Sequence, residues 1–162
     1  MSDDDFLRGT AERRGETEDA VLDLNISELL QELRVAQTGV QILFAFLLTI
    51  PFAAGFGDAT RVQRGAYVLT LLLSAAATAT LIAPVAFHRL LFRRGRREDL
   101  VRVTNRLALA GLGLLLLAVT GAVFLVLDVV LGGGAAVALA IVTAVCFAAL
   151  WVALPLRAHR AR

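Results

Sequence analysis

Apolar residues fall in four long uninterrupted blocks, roughly 38–56, 66–87, 107–127 and 135–156, and every charged residue lies between or outside them. Crossing hydrocarbon as a helix takes about 20 mostly apolar residues, because each residue rises 1.5 Å and lipid offers the backbone no hydrogen-bond partners. All four blocks meet that length, so each reads as a transmembrane helix. The first is the shortest and contains Pro51 followed by Ala53-Ala54-Gly55, which predicts a kink or unwinding at that end. The separators are FGDATRVQRG, RLLFRRGRRED and DVVLGGG; in the last, Gly132, Gly133 and Gly134 predict a tight hairpin turn.

Before the first block the pattern becomes amphipathic. Ile26, Leu29, Leu30, Leu33, Ala36 and Val40 recur at i, i+3, i+4 and i+7 spacing and form one apolar face. Gln31, Arg34, Gln37, Thr38 and Gln41 share another flank, and Glu28 and Glu32 occupy a third sector. Asn25-Ile26-Ser27-Glu28 has capping-box spacing and predicts a helix start there. With no Gly-Pro break in between, residues 26 to about 50 read as one long helix, or two nearly collinear ones bending near Gly39. Residues 1–24 are polar and acidic, without the basic start and apolar core of a cleavable signal peptide, and are expected to be a disordered tail. The expectation is an all-α integral membrane four-helix bundle over residues 25–162, preceded by that tail and an amphipathic helix.

Composition agrees: 58% of the 162 residues are hydrophobic and mean hydropathy is +0.75, against about 45–50% apolar usage in soluble domains. All sixteen basic residues are arginine. Arg8, Arg13, Arg14 and Arg34 precede the first block, Arg89, Arg93, Arg94, Arg96, Arg97, Arg102 and Arg106 surround the middle loop, and Arg157, Arg160 and Arg162 end the chain. Only Arg61 and Arg64 remain for the opposite side. By the positive-inside rule both termini and the middle loop are cytoplasmic, in the plasma (inner) membrane. Trp151 and Tyr67 are placed as interfacial anchors. The single cysteine, Cys146, excludes an intramolecular disulfide.

Candidate chemistry is sparse. Arg34, Gln37, Gln41, His88, Asn105 and Arg106 fall at similar expected depth and could form a polar layer; they read either as interfacial residues that snorkel to water or as an interhelical network facing the bundle interior. His88 follows Pro84 by four residues. Interface anchoring and proton handling are the two roles open to it, since imidazole titrates near neutrality. Tyr67, Thr70, Ser74, Thr78 and His88 share a stripe, read as a small-residue packing face or as a hydroxyl-lined water path. Arg89, Arg93, Arg94, Arg96 and Arg97 are candidates for contact with anionic lipid headgroups. No Asp or Glu lies inside a block, and there is no HExxH, phosphate-binding loop or catalytic triad pattern, so no enzyme, cofactor or metal site is expected. Nucleic-acid binding is not expected either, because the basic loop is short and lacks interleaved aromatics beyond Phe92.

ELLQELRVAQTGVQILFAFLLTIPF, together with LIAPVAFHRLLFR and LVRVTNRLALAG, resembles a family of uncharacterised small actinobacterial four-span membrane proteins, some labelled sodium:proton antiporters. The resemblance implies four spans and a shared role for the polar or special positions in those strings: Glu28, Glu32, Arg34, Gln37, Gln41, Pro84, His88, Arg89, Asn105 and Arg106. Two functions follow as expectations. One is a non-enzymatic scaffold or accessory protein that meets lipid or a membrane partner through the amphipathic helix and arginine loop. The other is a small ion or proton transporter or channel, oligomeric because four helices enclose little beyond their own side chains.

Overall fold

A computed structural model describes residues 9, 12, 13, 15, 17–91 and 97–153. It is all-helical, with no strand among the described residues. Four helices carry the fold: α1 Glu18–Thr49, α2 Arg61–Leu91, α3 Arg97–Val130 and α4 Gly133–Ala148, the last prolonged by a wider π turn over Ala149–Ala153. Stretches long and apolar enough to cross a membrane run over Leu30–Phe52, Arg61–Ala86, Val103–Val130 and Gly133–Trp151. At 1.5 Å per residue, α2 with 31 residues and α3 with 34 exceed a hydrocarbon core of about 30 Å. Their surplus length projects at the end that bears the arginine-rich connection.

The start of α1 differs from the sequence expectation. Asn25 lies within the helix, not at its cap; Thr17 is the N-cap, and its hydroxyl accepts from the Ala20 amide at 3.3 Å. The helix therefore begins inside the segment assigned to the tail, and Val21 is buried. Glu18 and Asp19 follow the cap, where carboxylates suit the positive end of a helix. Of the rest of the tail assignment, residues 1–8, 10, 11, 14 and 16 lie outside the described residues. From Glu18 the helix runs without interruption through Gly39 to Thr49. It unwinds where Pro51 removes a donor, passing through 3₁₀ turns at Ile50–Phe52 and Phe56–Asp58 joined by Gly55 at φ 93°.

α2 and α3 form the tightest pair. Gln63 meets Asp128, Thr70 meets Gly121 and Leu81 meets Gly111, so partners descend along α3 as they ascend along α2 and the helices run antiparallel. Among the described residues, Tyr67, Thr70, Ser74, Ala77, Leu81 and Pro84 are the buried positions of α2, and Thr104, Ala108, Gly111, Leu115 and Ala118 those of α3. Both sets alternate steps of three and four, the 3.5-residue repeat of coiled-coil seams. Leu33, Val40 and Leu47 on α1, one heptad apart, close onto this pair, mainly against α2. The fourth helix reaches α3 through Ala136 and Ala140. The helices thus stand as a compact trio with α4 laid against α3, a more open arrangement than the expected four-helix bundle. Large apolar side chains such as Val35, Phe46, Leu69 and Val145 point outward, as suits lipid and not water.

Candidate functional site

The expected polar layer is only partly drawn together. Gln37 is half-buried and turns toward α2, where its amide nitrogen donates to the Leu81 carbonyl at 2.6 Å. That carbonyl stands three residues before Pro84 and next to the Thr80 carbonyl, the one that Pro84 leaves without a helical donor. An amide from α1 thus supplies a hydrogen bond at the weakened turn of α2. Arg34, Gln41, Asn105 and Arg106 are exposed, and Thr38 bonds the Arg34 carbonyl of its own helix at 3.0 Å. His88 and Arg89 belong to α2 and Arg97 to α3, but their side chains are outside the described set, as are Arg93, Arg94 and Arg96 altogether.

The hydroxyl stripe of α2 is committed to its own helix. Thr70 donates to the Ala66 carbonyl at 2.7 Å, Ser74 to Leu71 at 2.9 Å and Thr78 to Ser74 at 2.8 Å. Back-bonding of this kind satisfies the hydroxyl without a partner helix or water. Opposite Thr70 and Leu81 α3 presents glycine. A Cβ on Gly111 would stand 2.6 Å from Leu81 Cδ2, and one on Gly121 would overlap Thr70 Oγ1. Backbone and side chain touch directly, so the seam is closed by packing at both heights.

At the opposite end of the bundle the structure holds a second polar cluster that the sequence reading passed over. Thr60 and Gln63 form a reciprocal capping box at the start of α2: the Thr60 amide donates to Gln63 Oε1 at 2.9 Å, and the Gln63 amide donates to Thr60 Oγ1 at 3.2 Å. The same Gln63 donates from Nε2 to Asp128 Oδ2 at 2.9 Å, tying α2 to the end of α3. Arg64 donates to the Gly57 carbonyl at 2.6 Å and holds the connecting loop down. Tyr67, expected as an interfacial anchor, is instead buried; its hydroxyl donates to the Leu47 carbonyl at 3.2 Å and its ring meets Phe56 edge-on at 5.3 Å. The signal was available in TRVQ, a Thr-x-x-Gln capping spacing immediately before an apolar run. Trp151 is 39% exposed and packs edge-on against Phe147 at 5.2 Å.

Among the described residues no group of His, Cys, Asp and Glu could hold a metal ion, and no buried side-chain polar atom lacks a partner. What the arrangement does chemically is hold helices together. A family of unknown function (DUF6328) matches the chain over residues 15–155. No curated protein and no solved structure matches it.

Proposed function

The chain belongs to the DUF6328 family of unknown function, and from that premise we propose that it is a multi-pass membrane protein acting as a non-enzymatic scaffold or accessory protein. The observation that carries the reading is the closed α2–α3 seam, whose hydroxyls are spent on their own helix and whose glycines are filled by Leu81 and Thr70. A conduction path through one subunit needs polar groups free to coordinate in sequence across the membrane. Among the exposed ones, Arg34, Gln41, Asn105 and Arg106 lie toward the arginine-rich end. There they are available to a membrane partner, a second copy or anionic headgroups.

In this reading the arginine-rich end and both termini face the cytoplasm of a cell whose plasma (inner) membrane holds the protein. Arg89, Arg93, Arg94, Arg96 and Arg97 fix that orientation and draw anionic lipid. Transport is the second reading, favoured by Pro84 inside α2, since a proline is a point where a helix can bend, here beside the carbonyl that Gln37 of α1 bonds. Such a pathway would use His88 and run between subunits. Reconstitution into proteoliposomes tests both. The scaffold reading expects no sodium- or proton-driven flux at any pH, with an elution volume or a crosslinked product that reports a stable assembly. A pH-dependent flux abolished by His88→Ala would overturn it in favour of transport.

A further inference from the structure

The helix ends opposite the arginine-rich loop enclose a groove of about 480 Å³, and its walls and rim differ sharply in character. Phe46, Ile50, Leu125, Val126, Val129 and Val130, from α1, α3 and the turn that ends α1, supply apolar walls. Phe46, Val126 and Val129 are themselves exposed on the lipid-facing surface, so the groove opens sideways toward acyl chains. Its polar lining side chains are Asp58, Gln63 and Tyr67. Gln63 is used at both ends by Thr60 and Asp128, and Tyr67 by Leu47. Asp58 remains: it is an exposed lining residue whose carboxylate has no hydrogen-bond or ion-pair partner among the described residues, Arg64 being engaged with the Gly57 carbonyl. Arg61 and Arg64 do not line the groove.

We propose that this groove is a lipid site, in which an acyl chain lies along the apolar walls and the primary ammonium of an aminophospholipid donates to Asp58. The bilayer is the favoured source because the opening faces it and Asp58 sits in the loop where the span ends, at headgroup height. Apolar contact alone does not select a lipid, since the groove offers a chain little that surrounding lipid does not. Selection rests on the head. A carboxylate is acceptor-only, so it prefers an ammonium with N–H donors to a quaternary choline, which has none. The site is independent of the scaffold reading, which concerns the other end of the molecule.

Native mass spectrometry of the full-length protein in detergent, with phosphatidylethanolamine, phosphatidylcholine and phosphatidylglycerol added at equal concentration, tests the assignment. A charge-assisted hydrogen bond predicts a preference for the ethanolamine lipid over the choline lipid of about tenfold. Asp58→Asn is expected to bring the two within about twofold of each other while leaving phosphatidylglycerol binding unchanged, and Asp58→Glu to restore the preference. Val129→Trp, which fills the groove without touching the charge, should lower adducts of both lipids. Equal binding of the two lipids by the unsubstituted protein, or a preference that survives Asp58→Asn, overturns the proposal. So does dodecylammonium that occupies the site in full while phosphatidylethanolamine fails to displace it, because the ligand would then be a soluble amine and not a lipid.

Discussion

Substituting Gly121 by alanine tests whether α2 and α3 are held by direct backbone approach. The new Cβ would overlap Thr70 Oγ1 and stand 3.2 Å from Thr70 Cβ and 3.3 Å from Cγ2. Thr70 cannot swing aside freely: it is β-branched, only 2% exposed and bonded to the Ala66 carbonyl. Either that bond breaks or the helices part. Overpacking of this kind costs about 1–3 kcal/mol, and alanine returns about 1 kcal/mol of helix propensity over glycine. The net expectation is a loss on the order of 1 kcal/mol. Gly113, one helix face away and exposed, has nothing within 4 Å of where an alanine methyl would stand, so Gly113→Ala keeps the propensity gain alone. The two alanine substitutions should shift stability in opposite directions, by a difference of about 2 kcal/mol. Unfolding in mixed micelles at increasing dodecyl sulfate fraction, followed by far-ultraviolet circular dichroism, measures both. Thr70→Ala removes the clashing oxygen and should rescue Gly121→Ala, with a coupling of about 1 kcal/mol in the double-mutant cycle. If both glycine variants move the same way, or the rescue is absent, the seam is not packed as described.

Gln37→Leu should destabilise by about 0.6–1.7 kcal/mol in the same micelle assay, the range for interhelical hydrogen bonds in membranes; Gln41→Leu, on an exposed position, should leave stability within about 0.5 kcal/mol. Tyr67→Phe removes the bond to Leu47 but keeps the ring against Phe56, so a loss of about 1 kcal/mol is expected, against about 3–5 kcal/mol for Tyr67→Ala. Neutralising Arg93, Arg94, Arg96 and Arg97 together should weaken retention of phosphatidylglycerol by about 1 kcal/mol per residue at low salt, and less as salt rises, read by lipid adducts in native mass spectra. With Cys146 replaced by alanine, a cysteine placed at residue 95 should react with impermeant maleimide only in inside-out vesicles, and reaction in intact cells would reverse the topology.

The spans were legible because hydrocarbon imposes one rule on every residue inside it, and uncharged blocks of about 20 residues are seldom compatible with any surroundings but lipid. Helix ends obey weaker, competing rules. Asn25 and Thr17 are both good caps, and the apolar period that begins at Ile26 favoured the former; Val21, Leu22 and Leu24 carry apolar character upstream, and the helix extends to Thr17. The Thr60–Gln63 box was equally visible as a spacing, yet its link to Asp128 joins residues 65 apart and comes only from the fold. Gln37 and Gln41 illustrate the same limit. They lie one turn apart on one helix flank, but only Gln37 reaches a carbonyl of α2, and the difference rests on where the neighbouring helix runs.

The α2 stripe shows how the period assumed for a helix changes its functional reading. Thr70, Ser74 and Thr78 step by four, and each such step turns about 40° beyond a full circle, so a stripe built on fours drifts sideways around the helix. The observed seam instead alternates threes and fours and passes from Ser74 to Ala77 and Leu81, leaving Thr78 half-buried at its edge. Read in fours, α2 offers a continuous column of hydroxyls, which is what a water path needs. With the period the paired helices adopt, two hydroxyls are followed by a methyl, an isobutyl group and a proline ring, each fully buried. The column of hydroxyls is therefore interrupted below Ser74 by about two turns of apolar side chains, and the hydroxyls above it serve the close approach of Gly121 to Thr70. Small size, more than polarity, is what the interface draws from these residues.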